Sequence, residues 1–264
     1  MIYLVVIILG LTFGSFAGAL VTRLKSGEDF VKARSRCDNC SHVLNWNDLI
    51  PLLSWLNLQG KCRYCGDQIS TFNPLIELTM LVLFIATVWQ WDFMSDMAWL
   101  QLVLWLSIVV CMVVISAYDI RHQQIPMPVA NVMLGLGLTL FVVNQLNFNA
   151  IVAESALQLL GQLAAAVSLI VLPWAASRGK WMGSGDMFLA ALAGLVMTDL
   201  ISSFAAVLSG FYLGSLYVLP LMALGKADRK SKIPFGPFIL SGIFIWYVWE
   251  PHLLEFIRQN ILLI

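Results

Sequence analysis

The chain has 264 residues, of which 60% are hydrophobic and only 11% are charged. This composition excludes an ordinary soluble domain, whose apolar share is about 45–50%, and indicates a protein with several membrane spans. The formal net charge is zero, so the sequence gives no indication of nucleic-acid binding.

Long apolar stretches predict about eight transmembrane helices of roughly 20 residues each. The first lies within residues 1–22, which have neither a basic leading region nor a small-residue cleavage site, so we interpret it as a retained span. The other seven spans are expected at 75–91, 97–117, 127–145, 152–174, 187–199, 201–224 and 236–250. The predicted fold class is therefore an all-α, polytopic membrane protein.

Two segments do not fit this pattern of spans. Residues 23–74 are polar and are the candidate for a soluble subdomain. Residues 251–264 mix apolar side chains with Glu255, Arg258 and Gln259, a pattern that predicts an amphipathic helix on the outer surface. The spans between these segments belong to a third region, residues 75–250.

Basic residues predict the orientation of the chain. Nearly all of the 15 Lys and Arg residues fall in segment 23–74 and in the turns 118–126, 175–186 and 225–235. The alternate connections contain acidic residues and no basic ones. Because cytoplasmic loops carry an excess of Lys and Arg, these four segments are expected in the cytoplasm.

Two aspartates, Asp119 and Asp186, each lie at the cytoplasmic edge of a long apolar stretch. A carboxylate at membrane depth is costly, which indicates a function and a partner. Two neighbouring carboxyl groups cannot both ionise, so one can activate water while the other protonates an amide. The pair therefore favours an intramembrane aspartic peptidase.

The aspartate at 186 closes the run Gly183-Ser184-Gly185-Asp186. The two glycines permit a tight bend and a close approach to a substrate strand, and an acidic residue suits the start of the following helix. Two other interpretations remain open. The aspartates can cap helices at the interface, or they can relay protons or ions in a transporter, although transporters tend to place such groups at mid-bilayer on broken helices.

Segment 23–74 contains two Cys-x-x-Cys pairs, Cys37 with Cys40 and Cys62 with Cys65, separated by 21 residues. This spacing is close to that of zinc ribbons, in which four thiolates form a closed structural site. Two disulfides are the alternative, but thiols in a cytoplasmic segment stay reduced. We therefore predict a structural zinc ion. The apolar stretch 46–56 between the pairs either fills this module or rests on the bilayer surface.

The motifs and their order resemble those of the type IV prepilin peptidase family nearly from end to end. The motifs that carry the resemblance are Phe13-Gly14-Ser15-Phe16 with Arg23-Leu24, the cysteine module of residues 36–66, Asp119 with Ile125-Pro126, the turn Gly183-Ser184-Gly185-Asp186, and Ile233-Pro234-Phe235-Gly236-Pro237-Phe238.

The resemblance implies an aspartic endopeptidase of the bacterial inner membrane, with Asp119 and Asp186 as the catalytic pair and 75–250 as the peptidase domain. The implied substrates are prepilins and pseudopilins, cut after a leader glycine at the cytoplasmic face. Pilus or secretion machinery and membrane lipid are the implied partners. A peptidase of the same Gly-x-Gly-Asp type with other membrane substrates is the alternative.

Many members of this family also methylate the new N-terminal amine with S-adenosylmethionine, which the resemblance implies as a second cofactor whose binding residues are unknown. The chain departs from the usual family pattern at five positions, none of them a catalytic aspartate or a metal ligand. The family usually has Asn, Arg, Tyr, Asp and Lys where this chain has Gly18, Phe72, Asn73, Met127 and Phe188. We therefore expect a divergent member.

Overall fold

A computed structural model of the chain describes residues 2–27, 34–37, 39–147, 152–226, 228 and 231–260. Within these ranges the regular structure is helical, apart from two isolated β-bridges. The chain forms two compact units, Met1–Trp89 and Gln90–Ile264. The finer division predicted from the sequence, into a first span, a soluble segment, a peptidase region and a tail with boundaries at residues 22, 74 and 250, stays a prediction.

Nine α-helices are described. The first unit contains α1 (Ile2–Ser26), a 3₁₀ turn (Trp46–Asp48), α2 (Leu53–Asn57) and α3 (Phe72–Trp89). The second unit contains α4 (Ala98–His122), α5 (Met127–Asn147), α6 (Val152–Ser177), α7 (Gly185–Val196), α8 (Leu200–Ala223) and α9 (Gly236–Asn260). Each of the eight expected spans coincides with one of the eight longer helices, which confirms the all-α prediction.

Length and apolar composition support six of these eight helices as membrane spans in the described part of the chain: α1, α3, α4, α5, α6 and α8. The protein is therefore a multi-pass membrane protein. Helix α7 is apolar but has 12 residues, or about 18 Å at ~1.5 Å per residue, against about 30 Å for the hydrocarbon core.

The last helix, α9, is outside this set of six and has a kink. Its backbone is non-helical at Trp249, with φ −116° and ψ 17°, two residues before Pro251. A proline ring clashes with the helical carbonyl four residues earlier and removes a donor, which explains the kink. The expected tail continues α9 as far as Asn260, and residues 261–264 lie outside the described residues.

In the first unit, α1 and α3 pack closely because α1 presents glycines four residues apart to its neighbour. A Cβ added at Gly10 would lie 3.0 Å from Cα of Leu81, and one added at Gly14 would lie 2.6 Å from Cα of Glu77. Small residues at this spacing let the backbones of two membrane helices touch.

In the second unit, the short helix α7 lies in the interior, in contact with α5, α6, α8 and α9. Eight of its 12 residues are buried. At Gly194 an added Cβ would lie 2.7 Å from Cα of Leu163, so α6 approaches α7 at backbone distance. Because other helices surround α7, it does not need the length of a lipid-exposed span. The same contacts hold its N-terminus in position.

Candidate functional site

Asp119 lies in the last turn of α4, and its side chain is buried, with 6% exposed. Helix α4 is capped at its C-terminus by Gln123, which has a left-handed backbone (φ 54°) and whose N–H donates to the carbonyl oxygen of Asp119 at 2.7 Å. The backbone N–H of Gly236, the first residue of α9, donates to Oδ2 of Asp119 at 3.1 Å. The helix end thus fixes the backbone of Asp119, and a residue far along the chain fixes its carboxyl group.

Asp186 is the second residue of α7 and is also buried, with 8% exposed. The backbone N–H of Gly183 donates to Oδ2 of Asp186 at 3.2 Å. In return, the N–H of Asp186 donates to the carbonyl oxygen of Gly183 at 3.2 Å. These two bonds close the turn and hold the carboxyl group over the start of α7, as expected for an acidic residue at a helix N-terminus.

The bend of this turn does not depend on its two glycines, and their close approach to a substrate strand stays a prediction. Neither Gly183 nor Gly185 has a positive φ, so the turn does not need glycine for its backbone conformation. At Gly185 an added Cβ would lie 2.8 Å from Cδ1 of Ile125, whereas at Gly183 it would lie 3.5 Å from Oδ2 of Asp186. Glycine at 185 is therefore required for the close contact with Ile125, whereas Gly183 contributes its backbone N–H, which any residue except proline would supply.

Both carboxyl groups lie on the wall of one cavity of about 1010 Å³. The other walls are formed by residues between the end of α4 and the start of α5, by residues 181–185 and 231–235, and by side chains of α6 and α8. The structure therefore brings together two aspartates 67 positions apart in the sequence. A buried pair of carboxyl groups beside a space of this size can bind a water molecule and a peptide segment.

Two residues of this site were not identified from the sequence, Gln123 and Gly236. Nε2 of Gln123 donates to the carbonyl oxygen of Lys232 at 3.2 Å. Together with the bond from Gly236 to Asp119, this contact attaches residues 232–236 to the end of α4 at two points. The Gly-Pro dipeptide at 236–237 marks a helix start, but nothing in the sequence shows which residue its N–H contacts.

The cysteine module contains two turns of the same form. In each, the first cysteine accepts a hydrogen bond at its carbonyl oxygen from a residue four positions later: Ser41 for Cys37 at 3.0 Å and Gly66 for Cys62 at 2.9 Å. Ser41 and Gly66 both have positive φ, 56° and 75°. This repeated turn brings the two thiols of each pair to the same side.

The four sulfur atoms of Cys37, Cys40, Cys62 and Cys65 lie within 4.8 Å of one another. The Sγ atoms of Cys37 and Cys65 are 3.9 Å apart, and a tetrahedral zinc ion with Zn–S bonds of about 2.3 Å needs sulfur atoms about 3.8 Å apart. All five cysteines of the chain are free thiols. The donor set therefore fits a four-coordinate metal ion.

Two thiols of this cluster differ in pKa: that of Cys62 is lowered and that of Cys65 is raised. Hydrogen bonds from the backbone N–H groups of Cys65 and Tyr64 lower the pKa of Cys62 to about 7. The pKa of Cys65 is raised to about 12: the backbone N–H of Asp67 lowers it, but desolvation and the neighbouring thiols outweigh that bond. Four thiolates cannot gather here unless a cation balances their charge, which is what a bound metal ion supplies.

Comparison with known proteins supplies the family. The model of the bacterial peptidase A24 N-terminal domain matches residues 8–91, and the model of the type IV leader peptidase family matches residues 106–222. A prepilin leader peptidase/N-methyltransferase of Xanthomonas campestris pv. campestris is 35% identical over 223 residues, which cover 80% of this chain and 71% of that relative. The chain belongs to the type IV leader peptidase family.

Other members of the family are similar over different lengths. A prepilin leader peptidase/N-methyltransferase of Myxococcus xanthus is 30% identical over 234 residues, but the match spans only 65% of that relative's length. A protein of the same description from Bacillus subtilis is 27% identical over 252 residues, 96% of each chain. No solved structure matches the chain.

The two family models divide the chain as the structure does. The N-terminal model ends at residue 91, close to the boundary between the two units at Trp89. The type IV leader peptidase model includes both Asp119 and Asp186 but ends at residue 222. Gly236 therefore lies beyond the matched region, although it contacts Asp119.

Proposed function

We propose that this protein is an aspartic endopeptidase that removes the leader peptide of type IV prepilins and pseudopilins, with Asp119 and Asp186 as its catalytic pair. One observation supports this function most directly. Two buried carboxyl groups from different helices line the same cavity, in a chain that belongs to the leader peptidase family.

The chemistry follows from the pair acting as one unit. One carboxylate accepts a proton from water, whose oxygen attacks the carbonyl carbon of the scissile peptide bond. The other, protonated, carboxyl group gives its proton to the amide nitrogen as the C–N bond breaks. The pair holds one proton between its members, so acid and base are not assigned to single residues.

Each of the two carboxyl groups accepts a hydrogen bond from one backbone N–H, which suits the proposed chemistry. Gly236 binds Oδ2 of Asp119 and Gly183 binds Oδ2 of Asp186. Each bond fixes one carboxyl oxygen and leaves Oδ1 for water or substrate. Because fixed groups need no reorganisation during the reaction, such donors contribute to the rate.

We place the site at the cytoplasmic face of the bacterial inner membrane. The turns next to the two aspartates carry Arg121, Arg178 and Lys180, and basic loops stay in the cytoplasm. A basic leader would then remain inside while the pilin's apolar helix spans the bilayer. Pilus or secretion machinery would receive the mature pilin.

The cofactor proposals concern the first unit. Cys37, Cys40, Cys62 and Cys65 would hold a zinc ion, which supplies structural cross-linking in a segment with little core of its own. Methylation of the new N-terminal amine with S-adenosylmethionine is a second candidate function, because relatives such as the Xanthomonas campestris protein are described as N-methyltransferases as well.

The test is cleavage of a purified prepilin by the protein reconstituted in vesicles. Asp119→Asn and Asp186→Asn each abolish cleavage if the two residues are the catalytic pair. Asp96→Asn, in an exposed connection of the second unit, is the matched control and retains activity. Cleavage by both active-site variants would disprove the assignment. Transport of ions across the vesicles without cleavage would support the alternative of an ion or proton relay. The mass of the cleaved prepilin shows whether a methyl group has been added.

A further inference from the structure

Five large apolar side chains within residues 46–56, between the two cysteine pairs, are exposed, and we call them the apolar ridge: Trp46, Leu49, Ile50, Leu53 and Leu56. The exposed fraction is 76% for Trp46 and 60% for Leu56. Isolated exposed apolar side chains are normal, but a group of this kind marks a contact with a partner or a membrane. We therefore expect the apolar ridge to contact another apolar surface.

A different residue of α2, Trp55, packs against the cysteine module and is half-buried. Its Nε1 donates to the carbonyl oxygen of Ile69 at 3.4 Å. Its ring lies against Gly60, where an added Cβ would be 3.0 Å from Cζ2. Leu53 and Leu56, three residues apart, share a different side of α2 from Trp55. Helix α2 thus has one side anchored in the module and one apolar side turned outward.

A hydrogen bond ties the ridge to the membrane helix α3. The backbone N–H of Leu52 donates to Oε2 of Glu77 at 2.7 Å, and Glu77 is buried, with 7% exposed. Leu52 has φ 57° and ψ −48°, a strained backbone for a residue with a side chain. The bond to Glu77 offsets this strain and holds the chain between Ile50 and Leu53 against α3.

The position of Glu77 along α3 sets the depth of the ridge. Helix α3 has 18 residues, about 27 Å at ~1.5 Å per residue, so it can cross the ~30 Å hydrocarbon core only if Phe72 lies near the surface. Glu77 follows five residues later, about 7.5 Å along the axis. Helical side chains lean back toward the N-terminus, which places the backbone nitrogen of Leu52 at the boundary between headgroups and acyl chains.

We propose that the apolar ridge inserts into the interfacial layer of the bilayer beside α1 and α3 and so seats the cysteine module on the membrane. The occupant is lipid. Trp is enriched at this layer, and short amphipathic helices bury their apolar side about 5–10 Å into it. The inference is independent of catalysis, since it concerns only the first unit.

Photo-crosslinking in vesicles tests this placement. The full-length protein carries p-benzoylphenylalanine at Leu53 or Leu56, is reconstituted in vesicles of phosphatidylcholine and phosphatidylglycerol, and is irradiated before mass spectrometry. Lipid adducts are expected at both positions. Gln68, an exposed polar position of the same module, is the control and gives several-fold less lipid adduct.

Two outcomes would overturn the proposal. Adducts from positions 53 and 56 to protein residues, in the same chain or in a second copy, would show a protein contact. Lipid adducts no more frequent than at Gln68 would show a solvated surface. The pair Glu77→Leu and Glu77→Gln adds a second measurement: only the glutamine can accept the bond from Leu52, so only Glu77→Leu is expected to reduce lipid adducts at Leu53 several-fold.

Discussion

The backbone N–H of Gly236 lies 3.1 Å from Oδ2 of Asp119 and donates to it, so the first residue of α9 holds the carboxyl group at the end of α4. The contact leaves no room for a side chain. A Cβ added at Gly236 would lie 2.8 Å from the same oxygen and 3.2 Å from Cδ1 of Leu189.

Gly236→Ala is therefore expected to reduce kcat for prepilin cleavage by about 10- to 100-fold, because a hydrogen bond to a charged group contributes about 1.5–3 kcal/mol. Gly135→Ala in α5 is the control, since an added Cβ meets nothing within 4 Å there. Equal activities of the two variants, at equal yields of folded protein, would show that the contact has no part in catalysis.

Gln123→Asn is expected to lower kcat by about 3- to 10-fold because it releases the segment that contains Lys232. Asparagine tolerates the left-handed backbone of this position but is one methylene too short for the 3.2 Å bond to the carbonyl oxygen of Lys232. A neutral hydrogen bond contributes about 0.5–1.5 kcal/mol. Gln124→Asn, at the neighbouring cavity position, serves as the comparison. An effect on KM alone would mean that Gln123 binds substrate instead of positioning the segment.

The glycines at 183 and 185 are expected to differ in their tolerance of alanine. Gly185→Ala forces a Cβ to within 2.8 Å of Cδ1 of Ile125, whereas Gly183→Ala creates a contact of ordinary length, 3.5 Å, with Asp186. Gly185→Ala should lose more activity and more thermal stability. The double variant Gly185→Ala with Ile125→Val removes the clashing methyl group and should regain part of both. Failure to regain either would point to a backbone requirement at residue 185.

Metal content is expected to depend on the four clustered cysteines and on pH. Serine at Cys37, Cys40, Cys62 or Cys65 should lower the zinc content of the purified protein, while Cys111→Ser, in α4 and outside the cluster, should not. Thiolates bind the metal, so protons compete with it. Affinity should fall as the pH decreases through the pKa of Cys62, about 7. Zinc measured after dialysis at pH 5.5 and 7.5 checks the direction.

Sequence patterns predicted the helices for physical reasons, and they identified the two aspartates that line one cavity in the structure. Apolar runs of bilayer length can only be helices in a membrane protein of this kind, and two aspartates at one face of the bilayer are natural partners. The sixth span was predicted to be short, at 187–199, but the interior position of α7 was not predicted, because hydropathy does not separate an interior helix from one that contacts lipid. The roles of Gly236 and Gln123 were not predicted either, since their contacts depend on how distant segments pack.

Two departures from the usual family pattern are neighbours in the structure. Gly18 on α1 faces Asn73 on α3, and a Cβ at Gly18 would lie 2.8 Å from Oδ1 of Asn73. The Asn73 amide thus occupies the space that a side chain at position 18 would need.

The hydrogen bond from Gly236 to Asp119 joins residues separated by 117 positions, and this distance has a consequence for biosynthesis. A nascent chain that has already inserted both aspartates still lacks the donor that orients one of them. If the two aspartates are the catalytic pair, full hydrolytic activity then requires that α9 leaves the ribosome and docks. Translation products truncated before α9 would cleave substrate more slowly than the full chain, which would protect neighbouring membrane proteins during synthesis.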